Sequence, residues 1–201
     1  MPDPVVFRPR GGVVLAAVAM SVCAVALIWL AVTDGPVAVL QWGWPIIAFG
    51  WLAWLLYIRP TVTISEGFIE IRNPLRTHRV PWGDITDVES RYALTVRTVD
   101  GRILRAWAAP APGARQALRT RREDVHRAPG DGDTRRPSDA EGTLSGDAAT
   151  LVHRGLERHR RSGAPGLPGG TVTSWAVLPA GTTVLLVGAA IASLFVLSVH
   201  A

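Results

Sequence analysis

Hydrophobic positions along this chain come in three long blocks and a series of short alternating runs, and the two patterns demand different solvents. An uncharged block of 23 residues runs from Gly11 to Thr33 (GGVVLAAVAMSVCAVALIWLAVT). After Asp34 a second runs from Gly35 to Ile58 (GPVAVLQWGWPIIAFGWLAWLLYI), and a third occupies residues 175–199. At about 1.5 Å of rise per residue each makes a helix of about 34 Å or more, enough for the roughly 30 Å hydrocarbon core of a bilayer. The blocks predict three membrane-spanning helices, over residues 11–33, 35–58 and 175–199.

After Arg59 the period drops to two. TVTI (61–64) and FIEIRN (68–73) flank Ser65-Glu66-Gly67 and read as a hairpin. Pro74 ends the second strand because it offers no ladder donor. A third strand fits Thr77–Val80 and stops at Pro81; ITDVES (85–90) alternates with Ile85 and Val88 inward, an odd spacing that implies a bulge. In ALTVRTVDGRILRAWA (93–108), a two-residue Asp100-Gly101 turn would set Arg105 opposite Val96. A three-residue loop, Val99-Asp100-Gly101 with Gly101 left-handed, puts Leu94, Val96, Leu104 and Ala106 on one face and Arg97 and Arg105 on the other. The hydrophobic pattern therefore selects the bulged turn.

Six short antiparallel strands need a lid, because one sheet face would otherwise stay uncovered. Two helices are expected to supply it: GARQALRTRREDVH (113–126), and ATLVHRGLERHRR (149–161) with Ser145 or Asp147 as its cap. The second presents Leu151, Val152 and Leu156 as a narrow apolar strip, weakened by Gly155. Between them the Gly-, Pro- and Asp-rich stretch has too few apolar residues to offset ordering and reads as disordered. The expected organisation is a cytoplasmic tail at 1–10, spans at 11–33 and 35–58, and a β-module with its basic helix at 59–126. A disordered linker at 127–147, an amphipathic basic helix at 148–162, a hinge at 163–174 and the last span at 175–199 complete it. The fold class is thus membrane α-helical plus a small all-β or α+β domain.

Charge sets the orientation. All 21 basic residues are Arg, and the net charge is +5. Arg8 and Arg10 precede the first block, Asp34 alone separates the first two, and Arg59 follows the second. By the positive-inside rule the N-terminus and residues 59–162 face the cytoplasm of a multi-pass cell-membrane protein. A cleaved signal peptide fits poorly, since the first block far exceeds a signal h-region of roughly 7–15 residues. MSVC at 20–23 weakly resembles a lipoprotein acceptor, with a bulky Val22 where a small residue belongs. Cys23 is the only cysteine, so the chain forms no internal disulfide, in keeping with a reducing compartment.

Candidate chemistry is sparse. The five histidines make no metal-ligand spacing, a Walker loop would need a Lys the chain lacks, and Ser145 sits in GTLSG rather than a nucleophile elbow. No catalytic, metal-binding or cofactor-binding residues are expected. Basic stripes are the clearer signal. Arg115, Arg119 and Arg122 recur on one face of the first helix, and Arg154, Arg158 and Arg161 on one face of the second. Beside an anionic leaflet each such residue is worth about 1 kcal/mol, against a competing reading as ordinary solvated surface. Trp82 and Trp107 are candidate anchors for a lipid or peptide, with core packing as the competing reading. Nucleic acid is not expected as a partner, because no motif accompanies the charge.

The run VTISEGFIEIRNPLRTHRVPWGDITDVESRYALTVRTVDGRILRAWAAPAPG resembles the bacterial pleckstrin-homology-like (PH-like) domain of actinobacterial membrane proteins, some of them labelled low molecular weight protein antigens. The resemblance rests on NPLRT, on VPW followed by an Ile and a Val three residues apart, and on AWAAPAPG, and it spans residues 7 to 113. It implies a small antiparallel sheet capped by a helix after a pair of N-terminal spans, and it brings no catalytic residues. The long insert at 127–147 and the third span depart from that pattern. The expectation is a non-enzymatic membrane protein presenting a recognition or scaffolding module to a cytoplasmic or membrane protein or peptide. An anionic-lipid sensor working through its Arg faces is the alternative, and an envelope enzyme with an unrecognised site a remoter one. Eukaryotic PH domains commonly read phosphoinositides through basic residues in the first strand loop; here that loop, Ser65-Glu66-Gly67, holds an acid.

Overall fold

A computed structural model of the chain describes residues 4–89, 93–110, 144–163 and 169–200. The expected helix at 113–126, with Arg115, Arg119 and Arg122, lies outside the described residues, as do most of the 127–147 linker and the middle of the 163–174 hinge. The chain divides into two units: residues 1–9 with 60–174, and residues 10–59 with 175–201.

The second unit is helical. Helix α1 (Arg10–Thr33) turns at Asp34 into α2 (Gly35–Ala53), which continues as a π-helical turn over Trp54–Ile58, and α4 (Val177–His200) follows much later in the chain. All three are long and apolar enough to cross a membrane. Their side chains Val14, Val18, Trp29, Val184 and Leu185 are exposed, as a lipid solvent would require. Pro45, inside α2, cannot donate to the carbonyl of Gln41 four residues earlier. Ser193 of α4 supplies the missing donor through its hydroxyl, and Trp51 Nε1 donates to Thr183 Oγ1 at 3.0 Å. Two side-chain bonds therefore join the third helix to the second.

The first unit holds two antiparallel sheets. In the larger, the order is β1 (Val5–Phe7), β2 (Thr61–Ile64), β3 (Phe68–Arg72), β4 (Arg76–Pro81) and β8 (Val172–Trp175). In the smaller it is β5 (Ile85–Glu89), β6 (Ala93–Thr98) and β7 (Ile103–Pro110). The six strands expected between residues 61 and 110 are all present. β6 and β7 pair with Val96 opposite Leu104 and Gly101 at φ +78°, the register of the three-residue loop. Thr98 N–H donates to Arg102 O and Gly101 N–H to Thr98 O, closing that loop. Leu94, Val96, Leu104 and Ala106 are buried together as expected. The bulge expected in β5 falls between Ile85 and Asp87.

Three boundaries differ from expectation. The N-terminal tail is not a free tail, because Val5–Phe7 adds an edge strand to β2. The hinge ends as β8, which takes Trp175 out of the last helix. Helix α3 (Leu144–Ser162) starts four residues before 148, inside the stretch read as linker. Asp147 lies in its first turn, where a carboxylate favours the helix dipole, and Ala148 and Ala149 are buried in the core. That burial offsets the ordering entropy that composition alone weighs against a helix.

Helix α3 is the lid. Val152 and Leu156 join Val62, Ile64, Ile69, Ile71, Val80, Leu94 and Val96 in one core. Gly155, read from sequence as a weakness, is where the helix comes closest: a Cβ there would stand 2.8 Å from Trp82 Cη2 and 3.1 Å from Ile64 Cγ2. The absent side chain lets the helix backbone settle on the indole.

Candidate functional site

Strand registers define two ends of the β-module. Phe7 pairs with Val62, Thr61 with Arg72, and Arg72 with Thr77. His78 Nδ1 lies 2.9 Å from Thr173 Oγ1, and Ser174 Oγ donates to Thr77 O at 3.5 Å, so β8 advances towards the same end. At this end the chain passes from Phe7 to α1, from the π-helical turn to Thr61, and from Trp175 to α4, through connections of one or two residues. All three links to apolar helices leave one end of one sheet.

The turn between β3 and β4 shares that end. Asn73 N–H donates to Arg76 O at 2.8 Å, leaving Pro74 and Leu75 at the tip. Leu75 is 37% exposed, and Arg72 and Arg76 flank it, both exposed. The Asn73 side chain reaches across to the second sheet. Its Nδ2 donates to Arg105 O at 2.9 Å, and its Oδ1 accepts from Trp107 N–H at 2.9 Å. One amide thereby satisfies an outward-facing donor and acceptor of β7, which an edge strand would otherwise leave open. It also fixes Arg105 and Trp107 beside the turn, where Trp107 is 56% exposed.

Basic residues of the module gather here. Arg8 follows β1, and Arg72, Arg76 and Arg105 surround the turn, with Glu70 2.8 Å from Arg72 Nε and Glu89, in register with Arg105 across Thr95, paired with Arg97 at 3.1 Å. The opposite end is acidic: it holds Glu66 in the β2–β3 loop, Asp84 after Trp82, and Asp100 in the β6–β7 loop paired with Arg102 at 2.8 Å. Thr171 Oγ1 donates to Asp84 Oδ2 at 3.0 Å, tying β8's start to that end. The two ends therefore differ in charge as well as in connection.

Residues 59–136 match the family model of the bacterial PH domain. No curated protein and no solved structure matches the chain. The matched PH segment carries β2 to β7, whereas β1, α3 and β8 come from outside it. Its part beyond residue 110 lies outside the described residues.

The PH domain separates the two candidate tryptophans. Trp82 is 1% exposed and donates through Nε1 to Ser65 O at 3.0 Å beneath Gly155. It is a core residue, so it cannot serve as a contact surface without unfolding. Trp107 stays on the outer face of β7. Arg154, Arg158 and Arg161 are exposed on α3, opposite the buried Val152 and Leu156. Arg161 pairs with Glu157 at 3.1 Å, and Arg158 Nε donates to Arg154 O at 3.4 Å. The middle of this helix crosses at Trp82 and Ile64, the acidic end, so its Arg face is not grouped with the arginines around the β3–β4 turn. Sequence reasoning missed Arg72, Leu75, Arg76 and Arg105 as a group. Their signal was a hairpin turn (NPLR) of basic and apolar residues with no structural need for Leu75, but only the register brings Arg105 to it.

Two histidines sit in the module. Burial holds His78 below the ordinary histidine value, reinforced by the Arg76 charge. Burial lowers His153 too, with Glu157 and Asp87 opposing and Arg160 assisting. Among the described residues no three His, Cys, Asp or Glu side chains gather as metal ligands.

Proposed function

We propose that the protein is an integral membrane protein whose three apolar helices hold the PH domain at the cytoplasmic face, and that it works by recognition or scaffolding rather than by catalysis. The observation that carries this reading is the departure of all three helix connections from one end of one sheet. Three helices crossing in succession from a module on one side leave Asp34 on the far side, which agrees with the positions of Arg8, Arg10 and Arg59. A pair of apolar helices ahead of a PH domain also supports the membrane-anchored actinobacterial antigen type. Three tethers restrict the module's rotation, a property that suits a platform presenting its acidic end to a protein or peptide partner. Sensing of anionic lipid through the Arg154, Arg158 and Arg161 face is the second reading, favoured by the exposure of that face.

The test is protease protection with alkaline carbonate extraction. The protein should stay in the membrane pellet, and residues 60–174 should be cut in inverted vesicles while surviving in intact cells. Cleavage in intact cells would reverse the orientation, and release by carbonate would remove the anchoring. Turnover abolished by one side-chain change would overturn the non-catalytic reading.

A further inference from the structure

Arg72, Leu75, Arg76 and Arg105 lie exposed at the tethered end, beside the Asn73 clasp. We propose that the β3–β4 turn is a headgroup-docking element: Leu75 enters the interfacial layer of the bilayer, and Arg72, Arg76 and Arg105 engage phosphate groups of anionic lipids. The proposal rests on the membrane integration proposed above and adds a lipid contact made by the PH domain itself.

Three observations converge on it. First, the three connections from this end of the sheet to the apolar helices are only one or two residues long. The interfacial layer itself accounts for several ångströms on each side of the hydrocarbon core. Second, the arginines at this end complement an anionic surface, whereas Glu66 and Asp84, with the Asp100–Arg102 ion pair, lie at the other. Third, the turn puts an apolar side chain at its very tip with an arginine on either side, and Trp107 stands next to it. An apolar tip with long cationic flanks and an amphipathic indole is the composition that partitions into a headgroup layer. Glu70 offsets part of the Arg72 charge. The site is at the opposite end of the sheet from the Ser65-Glu66-Gly67 loop.

The test uses the full chain in a Cys23→Ala background, reconstituted into vesicles of phosphatidylcholine alone or mixed with phosphatidylglycerol. One fluorophore is attached at Leu75→Cys and, separately, at Val99→Cys in the exposed loop of the acidic end. Quenching by lipids carrying a headgroup nitroxide should be several-fold stronger for residue 75 than for residue 99 in the anionic vesicles, and should weaken as salt rises. Arg72→Gln with Arg76→Gln should shift the docked-to-free ratio by roughly tenfold; Arg76→Gln alone should give part of that shift. Equal quenching of the two positions would overturn the docking, as would quenching of residue 75 indifferent to lipid charge and to both arginines. Carbonate extraction of the same vesicles separates the two ideas: an embedded protein with an unquenched residue 75 sinks the docking alone, whereas an extracted protein sinks the integration.

Discussion

Trp82 and Trp107 belong to the same small module, and from sequence they are the same kind of candidate. In the structure they do opposite things. Trp82 sits at the acidic end, sealed under Gly155, with its indole N–H satisfied by Ser65 O. Trp107 stands outward at the tethered end, its backbone N–H held by Asn73 Oδ1. The acidic end is closed by a helix packed on an aromatic ring, whereas at the tethered end the Asn73 side chain joins the two sheets. A module can thus place its rigidity and its accessible chemistry at different ends.

The sharpest way to break this comparison is truncation of each indole. Trp82→Ala removes a fully buried ring and should cost about 3–5 kcal/mol, whereas Trp107→Ala should cost less than about 0.5 kcal/mol. Denaturant unfolding of the detergent-solubilised protein measures both, and similar losses would remove the distinction. Gly155→Ala probes the seal alone. Its new methyl must displace the Trp82 ring or lift the helix, for an expected loss of about 1–3 kcal/mol in the same assay. A stabilised variant, as helix propensity alone predicts, would show that the close approach is easily relieved.

Asn73→Ala opens the other end. It strips a partner from Arg105 O and Trp107 N–H, both near water, and should cost about 1 kcal/mol. Faster amide exchange at Trp107 should accompany it, with little change around Trp82. The smallest effect is expected from pH. His78 and His153 both have lowered values in the fold, so the unfolded chain binds protons that the folded one does not. Their contribution is fully present above the ordinary histidine value of about 6.5 and is lost as the pH falls through and below it. The melting temperature should therefore drop between about pH 7 and pH 5, and His153→Gln should make the drop shallower.

Strand positions were legible because period-two alternation is local. The β6–β7 register could be decided from the sequence, since the two-residue turn would have faced Arg105 onto Val96. β1 and β8 were not legible. Val5–Phe7 and Val172–Trp175 are too short to show a period, and each abuts a long apolar block that masks it. Their pairing is tertiary: β1 takes the open edge of β2, and β8 lies along β4 through His78 and Thr77. Of the candidate contact residues, Arg154, Arg158, Arg161 and Trp107 are on the surface, Trp82 is not, and Arg115, Arg119 and Arg122 lie outside the described residues.

The sequence by itself determined which segments form helices long and apolar enough to cross a membrane and which form a sheet, because hydropathy and side-chain period are written residue by residue. It also determined the bulged hairpin and the apolar strip of α3. Only the tertiary structure decided which residues become neighbours across the chain. It set Gly155 on Trp82, joined Asn73 to β7, and drew Arg8, Arg72, Arg76 and Arg105 to the end from which all three apolar helices depart. Such groupings depend on strand order and register, which long-range pairing fixes.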